Sequence, residues 1–110
     1  MIANPTTIPE LIQCDHLTVT EMVKEIQARC ETLDPCRRYM FIEWLQAHNS
    51  RVKTAVSVCE GLESWFESMQ SESRRWEYRL IMSEIDWWNN LDEQSLTRIM
   101  LADFTRNGER

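Results

Sequence analysis

Apolar residues recur at alternating steps of four and three between positions 41 and 69 of this chain. Such steps place them on one side of an α-helix, and a seven-residue repeat kept over about four heptads holds one seam against a partner helix. The members of the seam are Phe41, Leu45, His48, Val52, Ala55, Cys59, Leu62, Phe66 and Met69. We therefore predict a long central helical segment over residues 35–69, built as one helix or as two or three shorter ones.

Two positions within this segment are candidates for a break. Ser50 can act as an N-cap and restart a helix after His48 and Asn49. Gly61 weakens a helix interior by about 1 kcal/mol relative to alanine. Because the seam is long and His48 is its only polar member, it also predicts self-association of the chain. The residues assigned to that contact are Phe41, Leu45, His48, Val52, Cys59, Leu62 and Phe66.

Capping patterns predict where the first two clear helices begin. Thr18 and Glu21 have the spacing of a capping box, in which each side chain accepts a hydrogen bond from the other residue's backbone N–H. This pattern predicts a helix over residues 19–33. Asp34 followed by Pro35 is typical of an N-cap with proline at the first helical position, so the central segment begins there.

The remaining elements follow from apolar spacing and from turn residues. A helix over residues 73–91 has a broad apolar side, which is typical of a helix packed between two neighbours. Asp92 is the expected N-cap of a last helix that ends at residues 107–108, an Asn-Gly pair. Near the N-terminus we expect one short helical turn over residues 7–13, preceded by a loose segment over residues 1–6.

Composition supports a single helical domain. The chain has only two glycines and three prolines, whereas a β-sandwich or barrel needs turn residues about every 8–12 positions. Apolar residues make up 43% and charged residues 27%, which is typical of a globular chain rather than a disordered one. We predict one all-α domain over residues 1–110, a four- or five-helix bundle-like fold, either monomeric or dimeric.

Several features predict an intracellular, cytoplasmic protein. The longest stretch without a charged residue is the first nine residues, so we expect no membrane-spanning helix. The N-terminus has neither a basic leader nor a continuous apolar stretch, so we expect no signal peptide. Cys14, Cys30, Cys36 and Cys59 lack the surroundings of a small disulfide scaffold and are interpreted as reduced thiols.

The sequence has none of the common catalytic patterns. Two separated glycines cannot build a phosphate-binding loop, and neither a nucleophile elbow nor an HExxH motif occurs. The nearest approach to a zinc site is Cys14-x-His16 with Cys30 or Cys36, but no CxxC pair is present. His48 has no serine, cysteine or carboxylate pair nearby that completes a mechanism. We therefore expect no enzyme activity, no metal or other cofactor and no small-molecule substrate.

Tryptophan and arginine predict a surface that binds another protein. Five tryptophans are too many for all of them to be deeply buried in a domain of this size, unless they fill an unusually wide core. Exposed tryptophans beside arginines match the composition of protein-interface anchors. The residues assigned to partner binding are Arg37, Arg38, Trp44, Arg51, Lys53, Trp65, Trp87 and Trp88.

Charge is unevenly distributed in a chain whose net charge is −6. Residues 36–59 carry four basic residues against one acidic residue, whereas residues 60–73 carry four acidic residues and no basic residue. The basic residues pair with acidic segments, with a protein partner or with phosphates. In the last case Arg37, Trp44 and Arg51 share one side of a straight helix, and a pair of such helices contacts a duplex backbone.

In size and in having a long helix that begins with arginines, the chain resembles small helical double-stranded-RNA-binding dimers such as insect nodavirus silencing suppressors. The likeness covers no specific motif, and the acidic residues 60–73 are a departure from it. It implies a dimer that binds double-stranded RNA through the basic stripe of residues 37–53. Our first hypothesis is a small acidic protein-binding module, an adaptor or an inhibitor; a nucleic-acid-binding dimer is the alternative. A third is an acidic mimic of nucleic acid that inhibits a nucleic-acid-binding complex.

Overall fold

The computed structural model describes residues 17–108 of the chain, and side chains over residues 17–103. Over this range the chain forms six α-helices and no β-strand. They are α1 (Val19–Cys30), α2 (Pro35–His48), α3 (Ser50–Thr54), α4 (Val58–Glu67), α5 (Ser71–Asn90) and α6 (Glu93–Gly108). The all-helical prediction is confirmed. The predictions for residues 1–6 and 7–13 lie outside the described residues.

The predicted helix starts are confirmed by hydrogen bonds. The Thr18 hydroxyl oxygen accepts from the backbone N–H of Glu21 at 3.1 Å, and the N–H of Thr18 donates to the Glu21 carboxylate at 2.8 Å, which completes the capping box of α1. The side chain of Asp34 accepts from the backbone N–H at position 37 at 2.9 Å and begins α2. Asp92 accepts in the same way from Ser95 at 2.9 Å, at the start of α6.

The segment over residues 35–69 is three helices rather than one. The first break falls at the predicted place, because α2 ends at His48, but the cap of α3 is Asn49 and not Ser50: the side chain of Asn49 accepts from the N–H of Arg51 at 2.8 Å. The second break lies at residues 55–57, and Ser57 caps α4 by accepting from Glu60 at 3.1 Å. Gly61, the other predicted break, lies inside α4.

Gly61 serves close packing instead. A β-carbon at this position would lie 2.7 Å from the Cα of Val52 and 3.1 Å from the Cβ of Ala55. Real β-carbons do not approach a backbone atom that closely, so only a glycine lets α3 pack directly on α4 at this point. The short helix α3 thus folds back against the helix that follows it.

The core lies among α1, α2, α4 and α5. α1 packs on α4 and α5, α2 packs on α3 and α5, and α3 packs on α4. The apolar residues that are almost wholly buried include Met22, Ile26, Leu33, Phe41, Leu45, Val52, Leu62, Phe66, Ile81 and Ile85. α6 contributes the buried Leu96, and its Ile99 and Met100 pack partly against the core. No described helix has both the length and the apolar composition needed to cross a membrane.

Candidate partner-binding surface

The seam that the sequence assigned to self-association lies inside the chain. Five of its members, Phe41, Leu45, Val52, Leu62 and Phe66, are each at most 1% exposed. Helices of the same chain cover them, so the assignment of these five residues to contact with a second copy is corrected. Of the other two, Cys59 is half-buried, and the His48 side chain is partly exposed. The spacing identified a buried stripe but not which helix covers it.

Arg37, predicted to face a partner, lies inside the protein and is only 7% exposed. Its Nε donates to the carbonyl oxygen of Trp88 at 2.8 Å, and its Nη2 donates to that of Leu91 at 2.5 Å. Its Nη1 donates to Glu93 at 3.1 Å and also to Asp34. The assignment of Arg37 to a partner-binding surface is therefore corrected, because this side chain joins α2 to the turn between α5 and α6.

The charges around Arg37 are coupled. Hydrogen bonds from the Arg37 backbone N–H and guanidinium hold the pKa of the Asp34 carboxyl below its usual value. Hydrogen bonds to Asp34 and Glu93 raise the pKa of Arg37, which keeps the guanidinium charged. The charged form therefore meets both carboxylates and the carbonyl oxygens at the end of α5.

The other basic residues of the predicted stripe are exposed but do not form a continuous row with Arg37. The Nη2 of Arg38 donates to the carbonyl oxygen of Leu33 at 2.9 Å, and Arg51 donates to the Ser68 hydroxyl at 2.5 Å. Lys53 is exposed on α3. A phosphate-binding stripe on one straight helix requires Arg37 at the surface and α2 continuing past His48, and neither condition is met.

Trp44 and Trp65 flank His48 and do not project into solvent. The ring of Trp44 stacks on that of His48, with centroids 5.1 Å apart and an interplanar angle of 7°. Trp65 contacts the other side of the His48 ring edge-on, at 5.7 Å and 62°. The His48 Nε2 lies 3.0 Å from Oε1 of Glu77 on α5. Trp65 is buried, so its assignment as an exposed anchor is corrected, and Trp44 is half-buried.

A second corner of the core combines Trp88 with Glu84. Burial raises the pKa of the Glu84 carboxyl, while the Trp88 indole N–H and the charge of His48 act in the opposite direction. The indole nitrogen of Trp88 is buried and has no partner within ordinary hydrogen-bond geometry, so its effect on Glu84 is that of a near neighbour. Trp88 is only 5% exposed, and its assignment as a partner anchor is also corrected.

The exposed tryptophans are Trp76 and Trp87, at 51% and 49% exposure. They lie on α5 eleven positions apart, so they share one side of the helix and are separated by about 16 Å along its axis. Half-buried Leu80 lies between them on the same side. We call Trp76, Leu80 and Trp87 the tryptophan face. The buried residues of α5 lie on the opposite side of the helix: Tyr78, Ile81, Met82, Ile85 and Trp88.

The tryptophan face was only partly anticipated. Trp87 was assigned to partner binding, but Trp76 and Leu80 were not, and the wide apolar arc of α5 suggested neighbours on both sides. The signal in the sequence is that positions 76, 80 and 87 share one side of α5, opposite the stripe of buried apolar residues. The side chain of Trp87 also packs edge-on against Trp88, with ring centroids 4.9 Å apart, which holds one end of the face against the core.

The chain matches no family model, and comparisons with curated proteins and with solved structures give no significant match. Within residues 17–108 no group of three or more His, Cys, Asp or Glu side chains is arranged to hold a metal ion. Cys14 and His16, the sequence candidates for zinc ligands, lie outside the described residues.

Proposed function

We propose that this protein is a protein-binding module that captures a partner through the tryptophan face of α5. The partner is a protein segment with two apolar side chains placed to meet Trp76 and Trp87, about 16 Å apart. One observation carries the proposal: Trp76 and Trp87 are each about half exposed, and both lie on the side of α5 that faces away from the core. Tryptophan anchors of this kind supply most of the binding energy in many interfaces.

The surroundings of the face suit such a partner. Arg75 and Arg79 lie next to Trp76 along α5, and arginine is the charged residue most enriched in protein interfaces. The buried side chains of α5 pack against the core and hold this helix in place. The helix therefore presents the indoles of Trp76 and Trp87 at a fixed spacing. A partner that carries acidic residues beside its apolar anchors is complementary to this face in both charge and shape.

Peptide selection tests the proposal without a known partner. A displayed library of 15-residue peptides is selected on the wild-type protein after depletion on the double variant Trp76→Ser/Trp87→Ser. We expect enriched peptides with two apolar positions and neighbouring acidic residues, and we expect their affinity to fall at least about tenfold on the double variant.

Matched controls distinguish binding at the tryptophan face from non-specific binding to other exposed apolar side chains. Val56→Ser and Leu101→Ser remove apolar side chains that are 92% and 59% exposed elsewhere on the surface, and neither should change peptide binding. Circular dichroism should show that all variants remain folded. The proposal is rejected if no peptide is enriched over the double variant, or if the enriched peptides bind the double variant as well as the wild type.

A further inference from the structure

A cavity of about 220 Å³ opens between α1, α2 and α4, on a part of the surface that does not include the tryptophan face. Its inner lining is apolar and comes from all three helices. The apolar lining residues are Ile26, Phe41, Ile42, Val58 and Leu62. Cys30 and Cys59 line it as well, and Gln27, Glu31 and Arg38 supply its polar groups.

The size of the cavity sets the size of a ligand. An engineered protein cavity of about 150 Å³ holds benzene, which has six non-hydrogen atoms. By proportion, a cavity of about 220 Å³ has room for roughly nine such atoms. This is smaller than the usual pocket for a drug-sized compound and too small for a folded peptide segment. It matches a short alkyl chain or a single aromatic ring.

Arg38 gives the cavity its charge preference. Both hydrogen bonds recorded for its side chain come from Nη2, to the carbonyl oxygens of Leu33 and Glu31. Among the described residues no carboxylate lies within ion-pair distance of its guanidinium, so none of these residues neutralises its charge. A guanidinium can bind a ligand carboxylate through parallel N–H donors.

Glu31 carries the opposing charge at the cavity, and at Cys30 its effect is weaker than that of Arg38. Burial raises the pKa of the Cys30 thiol; the positive charge of Arg38 counteracts this rise more strongly than the negative charge of Glu31 adds to it. At Cys30, therefore, the charge of Arg38 acts more strongly than that of Glu31. The sulfur atoms of Cys30 and Cys59 add polarizable, weakly polar surface, which suits an apolar ligand body.

We propose that this cavity binds a small amphipathic carboxylate, with its apolar body against Phe41, Ile42 and Leu62 and its carboxylate at Arg38. The site is independent of the protein-binding function proposed above. The sequence led us to expect no small-molecule substrate, and a bound ligand of this kind requires no reaction. Its residues come from three helices and are separated by up to 36 positions, so no local motif marks it.

Octanoate is a suitable probe, because its seven-carbon alkyl chain fits within the room for roughly nine atoms while its carboxylate lies at Arg38. Titration into the ¹⁵N-labelled full chain should shift the amide signals of residues that line the cavity and raise Tm. Octylammonium, with the same chain and the opposite charge, should not bind there. The Arg38→Gln variant should weaken octanoate by about fivefold while leaving the weaker binding of 1-octanol unchanged.

A pair of cysteine variants tests the location. Cys59→Leu places extra volume in the cavity and should abolish octanoate binding, whereas Cys36→Leu makes the same change at an exposed cysteine that does not line the cavity. Bound octanoate should also slow the reaction of Cys30 and Cys59 with a thiol reagent in the wild type, measured for each cysteine by mass spectrometry. The exposed Cys36 is the internal control.

Three results would overturn the proposal. The first is the absence of any octanoate-dependent shift at the cavity residues. The second is equal binding of octanoate to wild type and Cys59→Leu, because octanoate would then act elsewhere. The third is equal protection of Cys36 and of the two cavity cysteines. The thiol measurement uses the wild-type chain, so it decides the matter even if Cys59→Leu fails to fold.

Discussion

The Nε of Arg37 donates a 2.8 Å hydrogen bond to the carbonyl oxygen of Trp88, so a side chain near the start of α2 closes the end of α5. The last carbonyl groups of a helix have no partner within the helix itself. Arg37 meets two of the carbonyls in this region, those of Trp88 and Leu91, and it lies between the carboxylates of Asp34 and Glu93. The contact links residues more than fifty positions apart.

Replacing Arg37 should destabilise the whole protein. Arg37→Gln removes the side-chain donor of the Trp88 and Leu91 carbonyl oxygens and both ion pairs of the guanidinium, and we expect Tm to fall on the order of 10 °C. Arg37→Lys keeps the charge but cannot reach several acceptors at once, so it should recover only part of the loss. Thermal unfolding followed by circular dichroism measures both. Arg38→Gln is the control at the exposed neighbouring position, and an equal fall in that variant would contradict the role assigned to Arg37.

The buried seam predicts how stability depends on protein concentration. Leu45 is fully buried within the chain, so Leu45→Ala should cost about 2–5 kcal/mol of unfolding free energy at every protein concentration. If the seam held two copies together, the midpoint would instead rise with concentration. Urea unfolding at concentrations a hundredfold apart distinguishes the two cases. Leu101→Ala, which removes an exposed leucine from α6, should change stability by less than about 0.5 kcal/mol.

Gly61→Ala should destabilise the protein although alanine is the better helix former. The gain in helix propensity is about 1 kcal/mol, but the new β-carbon would lie 2.7 Å from the backbone of Val52. Moving α3 away from α4 costs more than that gain, so we expect a net loss of about 1–3 kcal/mol in urea unfolding. Ser64→Ala, at an exposed position of the same helix, should be neutral or stabilising. A stabilised Gly61→Ala protein would show that α3 does not pack as described.

Glu84 predicts a change of stability with pH. Because burial raises the pKa of its carboxyl in the folded state, the folded protein holds this proton more tightly than the unfolded chain does. Its contribution is therefore fully present below the ordinary value of 4.5 and is lost as pH rises through the higher folded-state value. The Glu84→Gln side chain cannot ionise. The difference in Tm between Glu84→Gln and wild type should therefore shift in favour of the variant as pH rises from 4.5 through the folded-state pKa.

The measurement is Tm against pH for wild type, Glu84→Gln and the exposed-site control Glu63→Gln. In the control, the difference from wild type should not show the rise expected for Glu84→Gln. If the difference in Tm between Glu84→Gln and wild type stays constant with pH, burial does not raise the pKa of Glu84 as described.

Local patterns identified the helix starts because each depends on a few neighbouring residues. Thr18 with Glu21, Asp34 with Pro35, and Asp92 all act as the sequence indicated. The break at residues 55–57 was missed because Ala55, Val56 and Ser57 include no proline or glycine. The side chain of Ser57 caps α4 at this break, and α3 approaches α4 closely at Gly61, a contact that depends on the folded chain.

The candidate site was harder to predict because exposure depends on distant parts of the chain. Trp65 and Trp88 are residues of the type that anchors interfaces, but both are buried: the His48 ring of α2 packs against Trp65, and Trp87 packs against Trp88. The charge of Arg37 predicts a surface residue. Its side chain is buried because it donates to two backbone carbonyl oxygens, which the sequence does not reveal, as well as to the carboxylates of Asp34 and Glu93. Both Trp87 and Trp88 were assigned to partner binding, but only Trp87 is exposed, because the two side chains point about 100° apart on the helix.

Because Arg37 donates to main-chain carbonyl oxygens at the end of α5, its contacts with the turn into α6 involve backbone atoms of that turn. Helices often end at a glycine with a left-handed backbone, but the described residues include no residue with positive φ. The acceptors that Arg37 meets at Trp88 and Leu91 are main-chain atoms, present whatever side chain occupies those positions. The hydrogen bonds that Arg37 makes at this turn therefore do not depend on the side chains at positions 88 and 91, and their donor lies about fifty residues earlier in the chain.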